Sequence, residues 1–120
     1  MKYSFDDLKG RNCVITGGFG VIGMALTRGL ASCGVNLAVI GRNPATPDKA
    51  KAIAAEFGIK CVGISASVTE KAQLEAAREV IHRELGKIDI LVNCAGGNSP
   101  KATCKVEQMS KSDDLADTFY

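Results

Sequence analysis

Residues 12–23 read Asn12-Cys13-Val14-Ile15-Thr16-Gly17-Gly18-Phe19-Gly20-Val21-Ile22-Gly23. A short apolar run meets a cluster of glycines and then a helical apolar pattern. The reading is a strand, a tight turn and a helix N-terminus in direct succession. Gly18, Gly20 and Gly23 stand in the spacing G-x-G-x-x-G. Glycines let the backbone turn sharply and leave no Cβ where a phosphate would approach. The helix start beyond them offers free N–H groups and a positive dipole end to an anion.

Working outward, the alternation repeats. Strand one spans about residues 12–16. The helix from Val21 to about Cys33 carries Ile22, Ala25, Leu26 and Leu30 on one face, which is expected to be its buried face, and Gly34 ends it. Val35–Ile40 is apolar almost throughout, as a parallel strand covered on both sides should be. Thr46 as N-cap and Pro47 as first helical residue open a second helix, which buries Ala50, Ile53, Ala54 and Phe57 and closes at Gly58. A third strand covers about residues 60–64. A third helix follows Thr69, places Leu74, Ala77, Ile81 and Leu85 on one face and ends at Gly86. A fourth strand runs from Ile88 to Asn93 into the turn Cys94-Ala95-Gly96-Gly97.

This order argues an α/β fold, a partial Rossmann-type doubly wound parallel sheet of strand order 3-2-1-4, with the C-terminal half of that fold missing. Residues 1–97 form the expected half-domain, and 98–120 read as a loop or poorly ordered tail. In this context the glycine spacing is a dinucleotide-binding fingerprint.

Composition excludes several alternatives. The 120 residues are 46% hydrophobic and 23% charged with a net charge of +2, which is too weak a balance to argue for nucleic acid or a membrane surface. The N-terminus, Met1-Lys2-Tyr3-Ser4-Phe5-Asp6-Asp7, lacks the apolar core of a signal peptide, so a cytoplasmic protein is expected. The five cysteines are scattered and form no C-x-x-C pair. Cys13 and Cys61 fall in or beside strands, where Cys serves as a small apolar residue. With one histidine, His82 on a charged helix face, no metal site is expected.

Thr16-Gly17-Gly18-Phe19-Gly20-Val21-Ile22-Gly23 resembles the Thr-Gly-x-x-x-Gly-x-Gly turn of the short-chain dehydrogenase/reductase family. Asn93-Cys94-Ala95-Gly96 resembles that family's Asn-Asn-Ala-Gly at the end of strand four. The resemblance covers about residues 8–100. It departs where the family's middle glycine would fall at Val21 and this chain has Gly20 instead. Members that resemble mannonate (fructuronate) oxidoreductases have a similar shift, and Ala95–Thr103 looks like their loop, although Ser99 stands where they often have histidine.

The family resemblance implies a cofactor site made of Gly17, Gly18, Phe19, Gly20, Val21, Ile22, Gly23, Arg42, Asn43, Ser67, Val68, Asn93, Cys94, Ala95 and Gly96. Sites that prefer NAD usually carry an acid about 20 residues past the glycines to bond the ribose hydroxyls. Here the stretch is Gly41-Arg42-Asn43, so NADP is favoured, with NAD the alternative. Arg42 is either a partner for the 2′-phosphate or a solvated turn residue. Ser67 replaces the family's adenine-binding Asp, or serves as a turn or capping residue, since Ser67-x-x-Glu70 fits a capping box. Phe19 is a lid over the pyrophosphate or an exposed loop residue. Asp89 is expected to be structural.

No catalytic residue is assigned. The family's chemistry uses Tyr-x-x-x-Lys, and the tyrosines here are Tyr3 and Tyr120, neither of which precedes a lysine by four positions. The resemblance therefore implies an NAD(P)-dependent oxidoreductase, acting on a sugar acid in full-length relatives, of which this chain holds the cofactor-binding half. A non-catalytic NADP(H)-binding module, or a subunit that pairs with a catalytic chain, stays open, as does a remnant without function. Strand four would be a sheet edge, and a homodimer through that edge or adjacent apolar surface is possible.

Overall fold

A computed structural model describes residues 5–96. The expected tail over 98–120, with Gly97 and Ser99, lies outside the described residues. A 3-10 turn at Asp6–Leu8 leads into β1 (Asn12–Thr16), α1 (Val21–Ser32), β2 (Asn36–Gly41), α2 (Thr46–Phe57), β3 (Cys61–Ser65), α3 (Lys71–Glu84) and β4 (Ile90–Asn93). The strands pair in parallel in the order β3-β2-β1-β4, as expected. The chain winds from β1 to β2 and β3 in one direction, then crosses to place β4 on the other side of β1.

The alternation of strand side chains builds two cores. Cys13, Ile15, Leu37 and Val39 point to one face and pack with Ala31, Val35 and Ile53, so α1 and α2 cover that side. Val14, Ala38 and Ile40 point to the other and pack with Ala77 and Ile81 of α3. β2 is buried at Leu37–Ile40 because it has a paired neighbour on each edge and helices on both faces. Among the described residues β4 is an edge strand, and Leu91 on it is 62% exposed.

Helix α1 departs from the expected buried face. The structure buries Gly23, Thr27 and Ala31, leaves Ile22 and Leu26 exposed at 74% and 41%, and also exposes Ala25. Leu30 is half-buried against the core. The cause is closeness. α1 sits so near the glycine turn that only small side chains fit beneath it, and the larger apolar ones rotate outward.

The helix starts also differ in detail. Thr46 does not cap α2. Ala45 is the N-cap, and Thr46 Oγ1 donates to the Asn43 carbonyl at 2.6 Å. Thr69 does not cap α3, and the Ser67–Glu70 capping box does not form. The N-cap is Glu70, without a side-chain bond, and the Gln73 Oε1 accepts from the Ser67 N–H at 2.7 Å. Because α3 begins at Lys71, Gln73 rather than Glu70 occupies the place from which a side chain reaches back. The C-termini behave as expected, with Gly34, Gly58 and Gly86 at positive φ of 80°, 67° and 87°.

Cys13 and Cys61 serve as apolar residues, and burial pushes each thiol up to about 11. Asp89 is structural: its Oδ2 accepts from the Asn12 N–H at 3.0 Å, which ties the start of β1 to the approach to β4. His82 is exposed, and its Nδ1 lies 3.0 Å from the Gly86 carbonyl oxygen.

Two glycines give opposite expectations. A Cβ at Gly63 of β3 would run into the Thr46 carbonyl oxygen of α2, so Gly63→Ala should cost about 1–3 kcal/mol in urea unfolding. A Cβ at Gly29 of α1 meets nothing within 4 Å, so Gly29→Ala should add about 0.5–1 kcal/mol. Stability should also fall as pH rises from 9.0 to about 11. Over that window the unfolded chain releases thiol protons that Cys13 and Cys61 keep when folded. Urea midpoints that stay flat across this range would contradict the burial of these thiols.

Candidate functional site

The turn after β1 is held by backbone contacts that exclude side chains. Gly17 has φ of 68° and donates its N–H to the Ile40 carbonyl at 2.8 Å. A Cβ at Gly17 would lie 2.8 Å from the Ala95 backbone, and one at Gly18 would lie 2.8 Å from both Thr27 Oγ1 and Val39 Cγ1. A Cβ at Gly23 would collide with the Gly17 carbonyl oxygen. Gly20 differs, since a Cβ there meets only the Gly17 oxygen at 3.5 Å. The protein interior does not demand glycine at Gly20, and the space it leaves open faces outward.

That space is a cleft of about 630 Å³ along the C-terminal ends of the strands, lined by Gly17, Gly20, Ile40, Gly41, Arg42, Ala66, Ser67, Val68, Thr69, Cys94, Ala95 and Gly96. It lies where strand order reverses about β1, the usual crevice for ligands in an open parallel sheet. Two bonds stitch its floor. The Thr16 carbonyl accepts from the Cys94 N–H at 3.0 Å, and Thr16 Oγ1 accepts from the Ala95 N–H at 3.2 Å. The Ala66 N–H donates to the Gly41 carbonyl at 2.9 Å and fixes the opposite wall.

Eight of the residues that the resemblance marks out meet in this cleft: Gly17, Gly20, Arg42, Ser67, Val68, Cys94, Ala95 and Gly96. The others stand apart from its lining. Gly18 and Gly23 let α1 approach the turn. Val21 and Ile22 start α1 with exposed side chains, and their N–H groups are among those left free at the helix start. Asn93 ends β4. Asn43 shapes the neighbouring turn: its carbonyl accepts from Thr46 Oγ1 and from Ser65 Oγ, and its Oδ1 accepts from the Ala45 N–H at 2.8 Å. Phe19 is not a fully exposed loop residue, because it is half-buried against the core that α1 and α2 cover.

Four lining residues were missed by the sequence reading: Ile40, Gly41, Ala66 and Thr69. Ile40 and Gly41 are the last two residues of β2, and Ala66 and Thr69 lie in the loop between β3 and α3; that placement alone was the available signal. Thr27 was also missed. It is fully buried, and its Oγ1 donates to the Gly18 carbonyl at 2.8 Å. A threonine one turn after the last glycine of the fingerprint was its trace in the sequence.

The electrostatics favour an anion. Gly20 is the N-cap of α1 and no side chain caps that end, so the first N–H groups and the positive dipole end stay free. Among the described residues the lining holds a cation, Arg42, and no acid. Arg42 is exposed and pairs with no carboxylate among the described residues. No cluster of metal-ligating side chains occurs among the described residues. No helix there is long and apolar enough to cross a membrane.

The Thr27 bond is open to a direct check. Thr27→Val keeps the shape and leaves the Gly18 carbonyl without its donor, which should cost about 1–3 kcal/mol in urea unfolding. An unchanged midpoint would show that the turn does not depend on this bond.

Comparison with known proteins agrees with this geometry. The profile of the short chain dehydrogenase family matches residues 11–119. The uncharacterized oxidoreductase UxuB of Bacillus subtilis is 39% identical over 106 residues, covering 85% of this chain and 37% of that protein. The L-sorbose reductase of Gluconobacter frateurii, solved with NADPH and L-sorbose, superposes with a TM-score of 0.74 at 26% identity, covering 88% of this chain and 40% of that one. A Haemophilus influenzae protein provisionally assigned as a D-mannonate oxidoreductase, solved with bound NAD, superposes with a TM-score of 0.73 at 35% identity, covering 92% and 39%. The chain thus spans about two fifths of the length of these relatives. With its strand order, its glycine turn and a family profile matched over most of its length, the chain belongs to the short-chain dehydrogenase family.

Proposed function

We propose that this chain binds the adenosine half of a nicotinamide dinucleotide, NADP in preference to NAD. It does so as the cofactor-binding part of a short-chain dehydrogenase type of oxidoreductase, acting on a sugar acid such as mannonate or fructuronate. One observation carries the reading: among the described residues, an uncapped helix start and an arginine without a carboxylate partner open onto one cleft whose lining contains no acid. Such a cleft favours a ligand with phosphates at two places. The pyrophosphate belongs at the Gly17–Gly20 turn. The ribose 2′-phosphate of NADP belongs beside Arg42, where an acid would instead repel it.

The relatives support both the cofactor class and the substrate class. The sorbose reductase was solved with NADPH and the mannonate oxidoreductase homologue with NAD. Sugar-type substrates stand in both of their names. The family's Tyr-x-x-x-Lys pair does not occur within these 120 residues, so these residues by themselves are expected to bind cofactor without turnover.

The test is a titration of the purified chain with NADPH and NADH, following nicotinamide fluorescence beside an amide NMR spectrum. Saturable binding, tighter for NADPH, is expected. Arg42→Ala should lower the NADPH preference by about tenfold, the size of a lost charge-assisted contact to phosphate. A folded chain that binds neither dinucleotide would overturn the proposal. Equal loss of both on Arg42→Ala would remove the case for NADP.

A further inference from the structure

We propose that the cleft accepts a purine dinucleotide whether position 6 of the base carries an amino or an oxo group, so that a hypoxanthine dinucleotide binds about as well as the adenine one. This rests on the nucleotide reading above and concerns the wall formed by Ser67, Val68 and Thr69. The helix start takes the pyrophosphate and Arg42 the ribose phosphate. The lining left for the base is the β3–α3 loop, with the partly exposed Val68 for a ring face to lie on and the Ser67 and Thr69 hydroxyls beside it.

The polar edge of the base decides selectivity. Adenine donates from its 6-amino group. Hypoxanthine has an accepting oxygen there and a donating ring N–H next to it. A carboxylate only accepts, so on this wall it would hold adenine and repel the 6-oxygen. Among the described residues the cleft lining contains no carboxylate. A hydroxyl donates one hydrogen and accepts on two lone pairs.

The two hydroxyls can be counted. Ser67 Oγ and Thr69 Oγ1 lie 2.7 Å apart and share one hydrogen bond, in which either atom can be the donor. Ser67 Oγ also accepts from the Thr69 N–H at 3.3 Å. Whichever way the shared bond points, one hydroxyl hydrogen and two lone pairs remain. The pair can accept from an amino group or, after a rotation, donate to an oxygen. The loop need not move, because its Ser67 N–H is held by Gln73.

The experiment titrates the whole chain with NADPH and with its deamino analogue, reduced nicotinamide hypoxanthine dinucleotide phosphate, by nicotinamide fluorescence. It is repeated on Ser67→Asp, with the amide spectrum as a check of fold. The wild-type dissociation constants should agree within about threefold, because neither base leaves a buried group unpaired. Ser67→Asp should weaken the deamino dinucleotide relative to NADPH by about tenfold or more, as an acceptor-only group rejects the wrong edge. A wild-type preference for NADPH of about tenfold or more would overturn the inference and leave the nucleotide reading standing. An unchanged ratio in folded Ser67→Asp would show that the base lies elsewhere and overturn it too. Binding of neither dinucleotide to the wild type would overturn both.

Discussion

The close approach of α1 to the turn after β1 is the constraint on which the rest depends. Gly23 stands where any side chain would strike the Gly17 carbonyl oxygen, and Thr27 reaches back to bond the Gly18 carbonyl. A helix start seated this tightly must send its larger apolar side chains outward, which is why Ile22 and Leu26 lie on the surface. It also leaves the first N–H groups of α1 free at Gly20, which lines one cleft with Gly17, Cys94 and Ala95. The sheet, the turn and the dipole then meet at one place, and the cleft is what remains between them.

That cleft is built largely from backbone. Its floor is tied by the Thr16 carbonyl and hydroxyl to the first residues beyond β4, and its far wall by the bond from Ala66 to Gly41. Side chains enter as modifiers, with a cation at Arg42 and two hydroxyls at Ser67 and Thr69. Asn43 does no lining work and yet sets the turn beside Arg42, through a carbonyl that accepts from two hydroxyls. The thiols of Cys13 and Cys61 lie apart from this chemistry, because burial keeps them protonated and makes them part of the packing.

Much of this was legible in the chain of letters, and the reason differs from element to element. The strands were visible because residues buried on both faces must be apolar without interruption, as at Leu37–Ile40. The helix ends were visible because a left-handed backbone at Gly34, Gly58 and Gly86 strongly favours glycine. The helix starts were not. Thr46 and Thr69 are good caps by residue type, but their hydroxyls found other partners, a carbonyl three residues back and a neighbouring serine. The inward face of α1 was misread for a related cause. Periodicity marks where large apolar residues align, and it does not register that a glycine and a threonine can be the inward face when the neighbour is backbone at contact distance.

By itself the sequence determined the fold class, the strand order and the glycine turn, because apolar periodicity, chain length between strands and left-handed glycines are local properties that survive without coordinates. Tertiary structure alone decided which of the marked residues share a cleft. It gathered Arg42, Ser67 and Ala95 from three separate loops, and it set Gly18, Gly23 and Asn43 to structural tasks. That sorting depends on contacts between residues up to 79 positions apart, such as Thr16 with Ala95, and distance in space is not written in any local pattern.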